Sequence, residues 1–455
     1  MSQPTGRQDI RHALREHRVE PTRGMGQNFL TDRGVAAWIV DQLEIGPDDA
    51  VLEIGPGLGA LTEHLAGKGR ETLLLEKDAR LAARLRQEPA GLQARVIEGD
   101  AVRFDLRSLF KLRPLKVIGA LPYSCGTEIV RHFLTNPSPV DRAVFVLQKE
   151  VVDRMCAAPG TPDRGLLSLR VQARWNAAAL RTLPPDIFVP RPRVDSAVVL
   201  LTPRCRTELP VFDDAILDRL LRMGFSQRRK MLRKLLPDLG VGWGEVAVSL
   251  GFPATARAEH LSLAQWVGLA RLADPHVLKD IPQRGEEVFD VVDDANQTIG
   301  QRTRREVHAL GLRHRAVHVF VLNSRSELFL QKRSHLKDAE PGKWDTSAAG
   351  HLDAGEDYLP AAVRELEEEL GISMRADQLI ALGRISAGPA TGWEFVEMFA
   401  TQWDGRMQWP AAEIEGGAWF PLEEVDAWVE RRPQDFASGF IECWKASEFW
   451  KPRIS

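Results

Sequence analysis

Short apolar runs, each followed by a turn and then an amphipathic stretch, recur through the first half of the chain. The runs are Val51-Leu52-Glu53-Ile54, Glu71-Thr72-Leu73-Leu74-Leu75, Ala94-Arg95-Val96-Ile97-Glu98 and Leu115-Lys116-Val117-Ile118-Gly119. Strands that alternate with helical patterns predict a parallel, doubly wound α/β sheet whose ligands lie at the carboxyl ends of its strands. The second half opens differently. Strand signals fall at Val288–Val292, at Ala316–Leu322 before the turn formers Asn323-Ser324, and at Leu328-Phe329-Leu330. Leu359, Val363, Leu366 and Leu370 then recur at i, i+4, i+7 and i+11, which predicts a helix burying that stripe. Asp-Pro, Ile-Pro and Arg-Gly pairs between Ala273 and Glu286 mark a boundary between the two halves.

Composition narrows the class. A chain of 455 residues exceeds one ordinary core, and 44% apolar with 27% charged residues is the balance of a globular protein. No run approaches the roughly 18 apolar residues of a membrane span. The first 20 residues include acids and lack an apolar core, so they do not read as a secretory signal, and a cytoplasmic protein is expected. The four cysteines form no CxxC pair, so they indicate neither a zinc site nor a disulfide framework. The net charge of −3 hides a split: residues 1–280 hold 40 Lys and Arg against 33 Asp and Glu, and residues 281–455 hold 20 against 30. That asymmetry points to an anionic partner for the first half, and to a metal ion or metal-bound substrate for the second.

The first strand runs into Gly55-Pro56-Gly57-Leu58-Gly59. Glycines let the backbone turn sharply and approach a ligand, and the following helix start favours a carboxylate or phosphate. The loop alone leaves NAD and S-adenosylmethionine both open. Glu76, about 20 residues on at the end of the second strand, is placed to accept ribose hydroxyls. Asp100, after the third, could accept from an adenine amino group.

Several ordered motifs then carry a resemblance. Gln27-Asn28-Phe29-Leu30, the Glu53-to-Thr62 loop, Glu76-Lys77-Asp78, Gly99-Asp100-Ala101, Leu121-Pro122-Tyr123, Leu147-Gln148-Lys149-Glu150-Val151, Val194-Asp195-Ser196-Ala197 and Phe225-Ser226-Gln227-Arg228-Arg229-Lys230 resemble those of the ribosomal RNA adenine N6-dimethyltransferases. The likeness covers about residues 20–275. It implies a Rossmann-like class I methyltransferase domain followed by a small helical domain, with S-adenosylmethionine as donor. The implied target is adenines near the 3′ end of small-subunit rRNA in an immature 30S particle. Gln27, Asn28, Leu30, Glu53, Gly55, Gly57, Gly59, Glu76, Asp100 and Ala120 fall at its cofactor-binding positions.

An adenine amino group is a poor nucleophile, so the base must be extruded, stacked and drawn onto acceptors. Tyr123 and Phe188 are the stacking candidates, and the Leu121 carbonyl, fixed by Pro122, is an acceptor. The family pattern has Asn or Asp before Leu-Pro-Tyr, whereas this chain has Ala120. Loss of one positioned acceptor costs about 3 kcal/mol, a hundredfold in rate. Either Ser124 or water substitutes, or the chain is an rRNA-binding assembly factor with weak or no methylation of its own. Arg228, Arg229, Lys230, Arg233 and Lys234, expected on one helix, are candidate phosphate contacts to rRNA.

Gly350, Glu356 and Arg364-Glu365-Leu366-Glu367-Glu368-Glu369-Leu370-Gly371 fill the specified positions of the Nudix box, so the second half resembles a Nudix hydrolase, an α/β/α sandwich. Glu365, Glu368 and Glu369 at i, i+3 and i+4 share a helix face and invite Mg²⁺ or Mn²⁺, with Glu368 and Glu369 as the catalytic pair. Leu312-Arg313-His314-Arg315-Ala316 and Pro341-Gly342-Lys343-Trp344 resemble Nudix proteins near isopentenyl-diphosphate isomerase. The isomerase thiol is absent from Ser347-Ala348-Ala349-Gly350, which disfavours that activity. Arg315, Lys332, Arg333 and Lys343 are candidate clamps for a small-molecule diphosphate, and Glu394, Glu397 or Glu413 a further acid. Trp344, Trp393 and Trp419 are candidates to stack a base. The expected organisation is a catalytic domain at 1–203, a helical rRNA-binding subdomain at 204–275, a linker at 276–285 and the Nudix domain at 286–455, in a monomer.

Overall fold

The structure, a computed structural model, describes residues 12, 28–87, 94–275 and 285–446. Gln27 and nearly all of the expected linker lie outside them. The chain divides into two compact units, Met1–Leu209 with Ala215–Leu272, and Pro210–Asp214 with Ala273–Ser455. No helix among the described residues is long and apolar enough to cross a membrane.

The first unit is built on strands β1 (Phe29–Leu30), β2 (Ala50–Ile54), β3 (Glu71–Glu76), β4 (Ala94–Glu98), β5 (Leu115–Ala120), β6 (Arg142–Gln148), β7 (Trp175–Leu183), β8 (Phe188–Val189) and β9 (Ser196–Pro203). Seven of them form one sheet in the order β4-β3-β2-β5-β6-β9-β7. All five residues of β2 are buried, as befits a strand covered on both faces. Its side chains alternate between two cores: Leu52 and Ile54 join Val117 and Phe145, while Val51 joins Ile118 and Val144. The first five strands of this order are parallel, but β9 runs antiparallel to both β6 and β7. The connection between β7 and β9 holds only a three-residue 3₁₀ turn and β8, too little for the helical crossover that parallel pairing needs. Strand β1 pairs with β8, setting Leu30 opposite Phe188.

Helices Arg33–Asp41, Ala79–Gln87, Gly126–Leu134, Lys149–Cys156 and Leu166–Gln172 lie between the strands, and past β9 the chain continues in helices Asp214–Gly224, Trp243–Ser249 and Leu263–Leu272. The basic run does not form the expected helix. Arg228, Arg229 and Lys230 lie in turns, and Arg233 and Lys234 in a three-residue 3₁₀ helix. The helix stops at Gly224, where a Cβ would sit 2.4 Å from Trp266, and the Leu232 amide is drawn to the Ala256 carbonyl at 3.0 Å.

The second unit holds a hairpin of β10 (Val288–Val292) and β11 (Thr298–Thr303) and a mixed sheet. That sheet comprises β12 (His314–Leu322), β13 (Glu327–Arg333), β14 (Trp344–Asp345), β15 (Ala348–His351), β16 (Ile380–Ile385), β17 (Glu394–Gln402) and β18 (Ile414–Pro421). Strands β12 and β17 are parallel neighbours, and β15 pairs antiparallel with β12. On β18, Trp419 joins the core that includes Leu366 and Leu370 of the helix Tyr358–Leu370. Its neighbour Phe420 packs on Trp428 of the helix Leu422–Arg431. Alternate residues of one strand therefore meet different helices, which gives three layers. The buried face of Tyr358–Leu370 is rotated from the expected stripe. Ala361, Ala362, Glu365, Leu366, Glu369 and Leu370 are buried and Leu359 is exposed, so two of the three acids point inward.

Candidate functional sites

At the carboxyl ends of β2 to β5 lies a cavity of about 390 Å³. Asn28, Leu30, Glu53, Gly55, Gly57, Glu76, Asp100, Ala120 and Pro122 line it, together with Ser124 and Lys77, which sequence reasoning gave no cavity role or only a conditional one. Gly55, Gly57 and Gly59 have φ of +66°, +58° and +90°, a region costly for other residues. A Cβ on Gly57 would also lie 2.9 Å from the Phe29 ring. Gly59 turns the loop but is not on the cavity wall.

Burial governs the acids here. Glu53 is fully buried and accepts from the Thr62 hydroxyl at 2.7 Å; burial pushes its carboxyl from 4.5 up to about 8. Glu76 is raised too, by burial, although its oxygens accept from the Gly57 amide at 3.0 Å and the Asp78 amide at 2.9 Å. Asp100 is held below the usual carboxylate range by Lys77, 2.7 Å away.

Leu121, Tyr123 and Phe188 stand off the cavity wall. Leu121 is buried with its amide on the Val146 carbonyl, and Phe188 is 2% exposed in the core beside Leu30, so its ring presents no free face. Tyr123 is half-buried, with its hydroxyl on the Ser196 hydroxyl. Among the basic residues, Arg229, Lys230 and Arg233 are exposed, and Arg228 donates to the Pro162 carbonyl.

The second unit has a larger cavity, of about 1000 Å³. Glu365, Glu368 and Glu369 line it, converging with Glu413. Glu365 and Glu369 are 8% and 6% exposed, and burial pushes both carboxyls up, with each raised further by a neighbouring carboxylate. Gly350 makes room: a Cβ there would lie 2.0 Å from Glu365 Oε1. Glu369 accepts from Gln331 Nε2 at 2.9 Å and the Ala349 amide at 3.1 Å. Lys337 lies 3.6 Å from Glu369 and also pairs with Glu413. Arg364 ties Glu356, Glu365, Glu368 and the His351 carbonyl together at 2.8–3.2 Å. This set of carboxylate oxygens fits a hard divalent cation, and the buried Gln331 Oε1 lacks a partner among the described residues.

Of the four predicted clamps only Arg333 lines this cavity, bonded to Asp345 at 2.9 Å. Arg315 is bound to Asn296, Lys332 to Glu415 and Lys343 to the Gln434 carbonyl. The cations on the wall that the sequence did not single out as clamps are Arg304, Lys337 and Arg364. Glu397 pairs with Arg384, and Glu394 sits between His314 and His351. Trp344, Trp393 and Trp419 are off the wall: Trp344 is buried against Trp428 and Phe420, Trp393 lies under Arg313, and Trp419 edges Phe329.

The sequence profile of the family described as "Ribosomal RNA adenine dimethylase" matches residues 21–274, and that of "NUDIX domain" matches residues 312–438. The "Ribosomal RNA small subunit methyltransferase A" of Leptothrix cholodnii is 41% identical over 252 residues, 55% of this chain and 90% of that protein. Its namesake in Nitratidesulfovibrio vulgaris is 43% identical over 255 residues, 54% of this chain and 94% of that protein. Among solved structures, a dimethyladenosine transferase from Plasmodium falciparum matches with a TM-score of 0.44 at 23% identity, covering 53% of this chain and 95% of that one. The chain thus belongs to the ribosomal RNA adenine dimethylase family and carries a NUDIX domain after it.

Proposed function

We propose that the first unit dimethylates adenine N6 in small-subunit rRNA, using S-adenosylmethionine, and that the NUDIX domain hydrolyses a diphosphate linkage with Mg²⁺. The observation that carries the first reading is the meeting of Glu53, Glu76 and Asp100 with the glycine loop around one cavity. When bound there, S-adenosylmethionine supplies an electrophilic methyl group. Glu76 accepts ribose hydroxyls, Asp100 accepts the adenine amino group of the cofactor, and Glu53 faces its ammonium. The Tyr123 ring, anchored through its hydroxyl to Ser196, offers a face to the extruded adenine, and stacking of this kind contributes about 1–3 kcal/mol. The Leu121 carbonyl accepts a hydrogen bond from the target amino group, which leaves the nitrogen lone pair aimed outward. The exposed Arg229, Lys230 and Arg233 contact rRNA phosphates.

In the second unit Glu365, Glu368 and Glu369 hold the divalent ion. A divalent ion held by these carboxylates would supply neutralisation of phosphate charge and a lowered pKa for the attacking water. Arg333 and Arg304 face the diphosphate. Two assays test the pair of activities. Methylation of small-subunit particles by the purified chain, read by mass, is the first. Mg²⁺-dependent phosphate release across a panel of diphosphates, lost in Glu369→Gln, is the second. Tight S-adenosylmethionine binding without any methylation would favour the assembly-factor reading.

A further inference from the structure

One imidazole on the wall of the second unit's cavity stands beside the carboxylate box without belonging to it. His318, in the middle of β12, is 5% exposed and lines the cavity of about 1000 Å³. Its antiparallel partner in register is Ala349 on β15, so the two side chains share one face of the sheet. The Ala349 amide holds Glu369 Oε2 at 3.1 Å, and the next residue, Gly350, leaves room for Glu365. His318 is therefore one strand away from the box.

The hydrogen bonds of the ring assign its proton. Nδ1 is 3.0 Å from the Thr346 hydroxyl oxygen. That hydroxyl has a single proton, drawn by two oxygens that accept: the Ala348 carbonyl at 3.3 Å and Asp345 Oδ1 at 3.4 Å. Thr346 thus accepts from the ring, which puts the proton on Nδ1 and a lone pair on Nε2. Nε2 has no hydrogen-bond partner among the described residues. It lies beside Gly439 of the cavity wall, where a Cβ would come within 3.3 Å of it. The acids nearby are engaged: Glu369 by Gln331 and Ala349, Glu365 and Glu368 by Arg364, Glu413 by Lys337 and Asp345 by Arg333.

We propose that His318 is a further catalytic residue of this cavity, the general base for the water that attacks the diphosphate; the inference rests on the hydrolase reading above. Nε2 takes one proton of the water as the water oxygen bonds to phosphorus. The bridging P–O bond breaks, and its electron pair leaves with the departing phosphate. The imidazolium then returns its proton to that phosphate or to solvent. The bond to Thr346 fixes the rotation of the ring, so Nε2 needs no reorientation before it accepts. A positioned base of this kind contributes about a hundredfold to ten-thousandfold in rate.

The test uses the full-length chain and the diphosphate panel, nucleoside 5′-diphosphates included. On the member turned over fastest, His318→Gln should lower kcat about a hundredfold or more while KM stays within about threefold. Mn²⁺ binding, read by electron paramagnetic resonance, and thermal unfolding should match the parent, because glutamine keeps an amide donor for Thr346. Imidazole in the buffer should raise the rate of His318→Ala in proportion to its concentration and leave the parent and Glu369→Gln unchanged. A fall in kcat of less than about tenfold in His318→Gln would overturn the proposal. So would a rate loss that tracks lost Mn²⁺ binding, or a His318→Ala chain that does not respond to imidazole. In each of those cases the parent still hydrolyses and Glu369→Gln does not, so the hydrolase reading stands. A parent inert on the whole panel overturns both.

Discussion

Glu53→Gln should make the chain more stable at pH 8 and nearly neutral in effect at pH 4.5. Glu53 keeps its proton in the folded chain up to about pH 8, whereas its ordinary value is 4.5. Between those values the unfolded chain binds fewer protons, so stability declines as pH rises through the window. Each tenfold difference in proton affinity between folded and unfolded chain corresponds to about 1.4 kcal/mol, which gives roughly 5 kcal/mol for the whole window as an upper bound. The cavity beside Glu53 lets solvent relax part of that penalty, so a gain of about 2 kcal/mol for the glutamine variant at pH 8 is the expected figure. Glutamine keeps an oxygen to accept from the Thr62 hydroxyl, so little else changes. Urea unfolding of both proteins at pH 5 and pH 8 measures the difference. Calorimetric binding of S-adenosylmethionine adds a second readout: proton release should accompany binding to the parent at pH 7 and be absent in the variant. Parallel stability profiles for the two proteins would refute the reasoning.

Three further outcomes are expected. Ala120→Asn should raise methylation of small-subunit rRNA by about a hundredfold, measured by primer extension, because it restores a positioned acceptor on the cavity wall; an unchanged rate removes that account of position 120. Lys337→Gln should lower the Mg²⁺ concentration for half-maximal hydrolysis tenfold or more, since the ammonium competes for Glu369 and Glu413; a higher requirement would contradict it. Gly350→Ala should abolish Mg²⁺-dependent phosphate release while the methylation rate stays unchanged, because the new Cβ displaces Glu365.

What was legible in the sequence is what local pattern encodes. The strand and glycine-loop pattern located Glu76 and Asp100, the family resemblance added Glu53, and helical spacing placed Glu365, Glu368 and Glu369 on one face, which meets one cavity. What was not legible depends on partners far along the chain. The antiparallel β9 follows from a connection too short for a crossover, and the turn at Arg228 lies between the Phe225 ring stacked on Trp266 and the Leu232 amide held by the Ala256 carbonyl. Choosing Arg315, Lys332 and Lys343 over Arg304 and Lys337 reflects the same limit. A cation's partner 19, 83 or 91 residues away decides whether it faces a cavity or is already neutralised. His308, His314 and His351 meet from a helix and two strands, and no short motif announces such a meeting.

Glu76 has both oxygens engaged before any nucleoside arrives, one holding the Gly57 amide and the other the Asp78 amide. Each carboxylate oxygen has a second lone pair, so an incoming hydroxyl adds a bond without breaking one. The ordering entropy of this acceptor is lost when the chain folds, not when the ligand binds. Damage at position 76 should therefore surface first as a loosened loop, even where no nucleoside is present.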